Sequence, residues 1–143
     1  MRPTLRKALP LLVVAGVLVG LAGPASASNT MHGGCWLYLA PDPSFPGFYD
    51  VVMGESSTTQ DGSGAPVSAI VECDLLIDGV ETPSTYLTAS GTGSQSGTLY
   101  SAFSASSPSP VIQLCQRVSY DERVTFTPWD CQTVSVGFTP PPS

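Results

Sequence analysis

Residues 67–79 read VSAIVECDLLIDG, and apolar side chains occupy the odd positions through residue 77. The even positions are mostly polar and include Glu72 and Asp74. Because successive side chains of a β-strand point to opposite faces, this alternation predicts a strand with one buried face. Asp78-Gly79 favours the positive φ angles of a tight type I′ turn, so we expect an antiparallel partner that begins at Val80.

The first 27 residues have the composition of a secretory signal. Basic residues are followed by an apolar run at residues 8–21 and then by Ala25-Ser26-Ala27. Small residues in an A-x-A pattern after such a run are typical of a cleavage site, and the run is shorter than the ~20 residues of a transmembrane helix. We expect residues 1–27 to be removed, leaving residues 28–143 as one secreted domain with no membrane span.

The predicted secreted part is strongly acidic. It contains two arginines, no lysine and all eleven carboxylates, which gives a formal net charge of −9. Such a surface repels phosphate backbones and anionic membranes, and this argues against nucleic-acid binding. The candidate partners are an extracellular protein or a cell-wall polysaccharide, and the sequence leaves the oligomeric state open.

Strand-like runs alternate with breaks along residues 28–143, and no extended helical period is present. The predicted strands occupy residues 35–39, 48–54, 67–77, 80–90, 98–105, 111–120 and 131–138. The breaks, rich in Pro, Gly, Ser and Thr, are interpreted as loops at residues 40–47, 55–66, 91–97 and 106–110. This spacing predicts an all-β, antiparallel, two-sheet immunoglobulin-like sandwich of about seven short strands with two disulfides.

The four cysteines follow the predicted cleavage site, at Cys35, Cys73, Cys115 and Cys131. An even number in an exported chain predicts two disulfides. A hairpin of residues 111–120 and 131–138 would oppose Cys115 to Cys131 and, in the same register, Ile112 to Val134. Cys35 is then left for Cys73, because both lie on the apolar face of their strand. The turn at residues 78–79 would also oppose Cys73 to Ser84.

The sequence also offers one alternative pairing and one further apolar strand face. The rival bond from Cys73 to Cys115, the inter-sheet bond of an immunoglobulin domain, is disfavoured because Cys115 lies opposite its own strand's apolar side chains. In residues 131–138 the apolar set Val134, Val136 and Phe138 also shares one face, which we expect to point inward.

Residue types offer little for catalysis. His32 is the single histidine and no lysine follows residue 27, so a nucleophile would lack a base. Asp74 is interpreted as part of a polar strand face, Asp78 as a turn former, and Asp121-Glu122 as solvated charge at a hairpin tip. Neither a calcium loop nor zinc-ligand spacing is present. The sequence therefore predicts a protein that is not an enzyme and holds no metal or cofactor.

Aromatic residues supply the candidate binding surface. Trp36 and Tyr38 alternate with Cys35 and should point outward if the cysteine points inward. Phe126 and Trp129 lie in the predicted hairpin loop beside charge, a mixture suited to contact with a partner. The alternative is that these rings cover the sandwich instead of binding a ligand. Tyr100 and Tyr120 could extend an aromatic patch.

Several features together resemble small secreted immunoglobulin-like proteins of high-GC actinobacteria, most of which have no assigned activity. They are the signal ending in Ala25-Ser26-Ala27, the lysine-free body, Val71-Glu72-Cys73 ahead of Asp78-Gly79, and Leu114-Cys115. The resemblance implies a secreted, non-catalytic sandwich that acts as a binding or envelope-associated module.

The alternative function is inhibition of an extracellular hydrolase through the loop at residues 120–130. Arg117-Val118-Ser119-Tyr120 resembles a segment of the secreted subtilisin inhibitors, but the reactive-site Cys-Pro segment and the cysteine spacing of that family are missing. The Trp-Arg-Tyr triplet of the small secreted amylase inhibitors is also missing.

Overall fold

The computed structural model describes residues 28–120 and 125–142. The predicted signal at residues 1–27 and the hairpin tip at residues 121–124 lie outside the described residues. The strands are β1 (Thr30–Pro41), β2 (Phe48–Gln60), β3 (Ser68–Ile77), β4 (Val80–Glu81), β5 (Leu87–Thr92), β6 (Ser94–Ser104), β7 (Ile112–Tyr120), β8 (Asp130–Val134) and β9 (Gly137–Thr139). Within these ranges no helix has the length and apolar character that crossing a bilayer requires.

The strands form two antiparallel sheets. The first sheet has the order β6-β2-β1-β9, and the second has the order β4-β3-β7-β8, with β5 also pairing to β3. Every strand pair is antiparallel. The predicted all-β, two-sheet architecture is confirmed, with nine strands in the described residues instead of about seven.

The core lies between the sheets and follows the alternation seen in the sequence. The buried apolar side chains of β1 are Cys35, Leu37 and Leu39, and those of β3 are Ala69, Val71, Cys73 and Leu75. They form one apolar cluster with inward residues of β2, β6, β7 and β8. Burial of these large side chains supplies the main stabilisation of the fold.

Two disulfides link the pairs predicted from strand register. Cys35–Cys73 connects β1 of the first sheet to β3 of the second, with Cα atoms 5.9 Å apart. Cys115–Cys131 connects β7 to β8 within the second sheet. The same β7–β8 register places Ile112 opposite Val134, as expected.

The turn after β3 is confirmed, and the register beyond it differs from the prediction. Asp78 and Gly79 have φ values of 51° and 80°, and Ile77 pairs with Val80. Cys73, however, lies opposite Leu87, not Ser84. The 3₁₀ turn Pro83–Thr85 inserts three residues between β4 and β5, which accounts for the shift.

Two predicted loops are strand in the structure. Strand β2 continues through Gln60 and buries Glu55, Ser57 and Thr59, so residues 55–60 do not belong to a surface connection. Residues 91–97 are divided between β5 and β6, and Gly93, with φ of 77°, leads the chain from the second sheet to the first. Neither strand extension was predicted, because the inward residues are polar; Gln95 hydrogen-bonds to both Ser57 and Thr59 between the strands.

The last predicted strand is divided between the two sheets. Strand β8 ends at Val134, and β9 begins at Gly137, whose φ of 112° redirects the chain to the edge of the first sheet. Val136 and Phe138 are therefore 59% and 62% exposed, and the prediction that they point inward is wrong. Their alternation matched that of Val134, but the chain had changed sheets between them.

Candidate functional site

Trp36 and Tyr38 lie on the outer side of the first sheet. They alternate along β1 with the buried residues Cys35, Leu37 and Leu39, so the pleat of the strand turns both rings away from the core. Tyr38 is 48% exposed. The outward orientation predicted from the sequence is therefore the one observed.

Two further strands, β9 and β6, bring aromatic side chains to the same level of this sheet. Tyr38 of β1 pairs with Phe138 of β9 on one side and with Val52 of β2 on the other. Val52 pairs in turn with Tyr100 of β6. Tyr100 and Phe138 are 78% and 62% exposed. A row of exposed rings therefore crosses all four strands, with a small aliphatic residue between two of the tyrosines.

Trp36 extends the row along β1. A β-carbon at Gly54 would overlap the indole, so the glycine permits the ring to lie over the β2 backbone. The ring centroids of Trp36 and Phe138 are 6.2 Å apart with a 47° angle between their planes. We call Trp36, Tyr38, Tyr100 and Phe138, with Val52 and Gly54 between them, the aromatic face.

Small hydroxyl-bearing residues flank the aromatic face on one side. Within the described strands of the first sheet, the outward positions near the rings include Ser56, Thr58, Ser96 and Thr98. The charged or titratable outward side chains of these strands, tyrosines aside, are Asp50 and His32, both exposed. The surface is thus aromatic and nearly uncharged in a protein that is acidic elsewhere.

Phe126 and Trp129 lie on the opposite side of the sandwich. Their rings contact the Arg117 guanidinium, whose central carbon is 4.5 Å and 4.4 Å from the two ring centroids. Arg117 projects from the outer side of the second sheet, since it pairs with Glu72 on β3 between inward-facing neighbours. The structure therefore does not bring the four predicted binding residues together; it divides them into two pairs on opposite faces.

The second pair is engaged within the protein. Arg117 Nε donates to Glu72 Oε2 in an ion pair, and the Tyr86 phenol lies next to both residues. Burial, followed by the hydrogen bond to Glu72, raises the pKa of the Tyr86 phenol. Phe126 and Trp129 complete this cluster by covering the guanidinium. Their contacts match the alternative in which the rings cover the sandwich.

Asp74 is not a solvated carboxylate of a polar face, as the sequence suggested. It is 5% exposed, and Asp74 Oδ1 accepts a hydrogen bond from the backbone N–H of Leu75 at 2.8 Å. Burial raises its pKa to about 6; the Leu75 hydrogen bond opposes this rise and the charge of Glu81 adds to it. The carboxylate lies beside β4 and the segment that leads from β4 to β5, which contribute Glu81, Thr82, Pro83 and Tyr86.

Glu55 was missed in the sequence because it lies in a Ser/Thr-rich stretch. It is 1% exposed and points into the core beside Cys35, its partner across the β1–β2 ladder. The nearby Ser57 hydroxyl donates to Gln95 Oε1 at 3.0 Å, and both Glu55 carboxylate oxygens lack a hydrogen-bond partner. Burial raises the Glu55 pKa to about 6, partly opposed by Ser57.

These carboxylates do not assemble into a metal centre in the part of the chain that the structure describes, where no group of three or more His, Cys, Asp or Glu side chains could hold an ion. Comparisons of the chain with family models, with curated proteins and with solved structures find no match.

Proposed function

We propose that this chain is a secreted, non-catalytic β-sandwich that binds a polysaccharide of the cell envelope through the aromatic face. The observation that carries the proposal is the row of exposed rings at Phe138, Tyr38 and Tyr100, which crosses the first sheet. Aromatic rings offer apolar contact area at low conformational cost, and the tyrosine hydroxyls add hydrogen bonds. Exposed rings held on rigid strands are well suited to stack on sugars.

Secretion forms part of this proposal. Residues 1–27 would direct export, and two disulfides agree with an oxidising compartment. We further propose that the sandwich is immunoglobulin-like, on the ground that Cys35–Cys73 joins the two sheets, as the inter-sheet bond of immunoglobulin domains does.

The surface composition favours a glycan over a protein partner. Serine is depleted from protein–protein interfaces, whereas Ser and Thr lie beside these rings on the outer side of the sheet. The described strands of the first sheet expose no Leu, Ile or Met on their outer side. A surface that combines rings with hydroxyls, and lacks aliphatic bulk, matches the alternating C–H faces and hydroxyl edges of sugars.

The test is retention on insoluble cell-wall polysaccharide. The oxidised protein corresponding to residues 28–143 should be retained, and Tyr100→Ala should greatly reduce retention. Tyr86→Ala is the matched control, because Tyr86 is a partly exposed tyrosine of the opposite side. Equal retention of the two variants would contradict the proposal. So would stoichiometric inhibition of an extracellular hydrolase without retention, which is the outcome expected for an inhibitor.

A further inference from the structure

We infer that the aromatic face takes an extended, neutral β-1,4-linked glycan that lies across the strands. This inference rests on the proposed function and specifies its ligand. The relevant feature is direction: the rings of Phe138, Tyr38 and Tyr100 follow one another across neighbouring strands, not along one strand. A linear ligand that contacts all three must therefore run roughly perpendicular to β1.

The strand spacing sets the distance between the contacts. Neighbouring strands lie ~4.8 Å apart, so the backbones that carry Tyr38 and Tyr100 are about 10 Å apart with Val52 between them. In an extended β-1,4-linked chain every second pyranose ring presents the same face, and that repeat is close to two strand spacings. Tyr38 and Tyr100 can therefore stack on sugars of the same orientation, with the intervening sugar above Val52.

Charge favours a neutral chain. Asp50 is exposed on the same face, and residues 28–143 carry a formal net charge of −9. A polyanionic glycan would be repelled by this field. A cationic glycan would find one outward carboxylate, Asp50, on the described strands of this sheet, so charge would add little contact at the rings themselves.

The geometry also sets a length dependence. Contact with Tyr38 and Tyr100 alone needs about three sugars, and contact that reaches Phe138 needs about four, by the same strand spacing. Binding should therefore strengthen from the disaccharide to the tetrasaccharide and change little beyond it. An α-1,4-linked chain is coiled and cannot keep its rings in register with this row.

Tryptophan fluorescence can measure this binding, because the chain has two tryptophans and Trp129 lies on the opposite side. The Trp129→Phe variant leaves Trp36 as the reporter. Cello- and chito-oligosaccharides of increasing length are titrated against malto-oligosaccharides of equal length. We expect saturable signals with the first two, and Tyr100→Ala or Phe138→Ala should weaken tetrasaccharide binding by about tenfold. Tyr86→Ala should leave it unchanged.

Each remaining outcome overturns a distinct statement. Retention on polysaccharide that depends on Tyr100, with no response to β-1,4-linked oligomers, overturns the linkage inference and leaves the proposed function intact. Absence of retention on every polysaccharide tested overturns both. Binding of β-1,4-linked oligomers that is unchanged in Tyr100→Ala and Phe138→Ala overturns the location of the site. Self-association that is lost in these variants would show that a second copy occupies the face.

Discussion

The outer sides of the two sheets both carry aromatic residues, yet they use them differently. On the first sheet the rings of Tyr38, Tyr100 and Phe138 stay exposed. On the second, Phe126 and Trp129 cover the guanidinium of Arg117. The difference lies in the side chains that the strand next to the rings presents to them. The second sheet offers a cation that is paired with a buried carboxylate, whereas the first offers Val52 and Gly54. The rings of the first sheet contact one another, as Trp36 and Phe138 do, and remain exposed, whereas those of the second sheet cover a cation.

The largest expected effect on stability comes from removing the disulfide that links the two sheets. The Cys35→Ala/Cys73→Ala double variant should lose about 4 kcal/mol of unfolding free energy, because the bond closes a sequence separation of 38 residues. The Cys115–Cys131 bond closes a separation of only 16 residues within one sheet, so the Cys115→Ala/Cys131→Ala variant should lose about 3 kcal/mol. Urea denaturation under non-reducing conditions measures both. A larger loss for the second variant would contradict the ranking.

A smaller effect, of opposite sign, is expected at Glu55 on the inner side of the first sheet. Folding raises its pKa from 4.5 to about 6, so the folded state binds more protons between these values and stability falls as the pH rises through that window. Glu55→Gln should therefore stabilise the protein by about 2 kcal/mol at pH 7 and by little below pH 4.5.

Thermal or urea unfolding at several pH values tests the Glu55 prediction. Asp50→Asn is the control, because this carboxylate lies on the same strand but is exposed. Asp74→Asn should shift stability in the same direction as Glu55→Gln, since burial raises the pKa of Asp74 to about 6 as well. A Glu55→Gln variant that is less stable than the parent at pH 7 would show that the carboxylate has a partner in solution.

Replacement of Arg117, the cation on the outer side of the second sheet, should have a modest effect on stability. Arg117→Ala removes the ion pair to Glu72 and the surface under both rings, and it should cost about 1 kcal/mol. Arg117→Lys keeps the charge but loses the planar stacking, so it should restore only part of the loss. Polysaccharide retention should be unchanged in both. If Arg117→Ala lost retention without losing stability, the polysaccharide would bind the outer side of the second sheet and not the aromatic face.

The smallest effect on stability is expected at the aromatic face itself. Tyr100 and Phe138 are 78% and 62% exposed, so replacement of either by alanine should change the unfolding free energy by no more than about 0.5 kcal/mol. The same variants carry the expected loss of glycan binding. A fall in stability comparable to that of Arg117→Ala would make these rings structural and remove the contrast between the two faces.

Local sequence was informative where alternation and turn chemistry were unambiguous. The inward apolar positions of β3, the turn at Asp78-Gly79 and the opposition of Cys115 to Cys131 followed from period-two patterning and hairpin register. The outward orientation of Trp36 and Tyr38 followed from the same pleat. These features depend on neighbouring residues or on one adjacent strand, which is why they could be predicted.

The inward polar network shows where that reasoning failed. Gln95 Nε2 donates to Thr59 Oγ1 at 2.9 Å and to the Gly91 carbonyl at 3.0 Å, and Thr59 Oγ1 donates to the Val67 carbonyl at 2.8 Å. Thr59 and Gln95 were both assigned to predicted loops because the segments around them are polar. The bond between Gln95 and Thr59 joins residues of two strands that are 36 residues apart in sequence, and local composition does not predict this pairing.

The sequence by itself determined that this chain is an acidic, disulfide-braced, all-β protein, because charge, cysteine parity and period-two alternation are properties of the residues and their immediate order. The tertiary structure alone decided which rings are free. Phe138 reached the first sheet only because Gly137 redirected the chain, and Tyr100 came level with Tyr38 through Val52. Such a surface is assembled by pairing between distant strands, and that pairing is set by the packing of the whole sandwich.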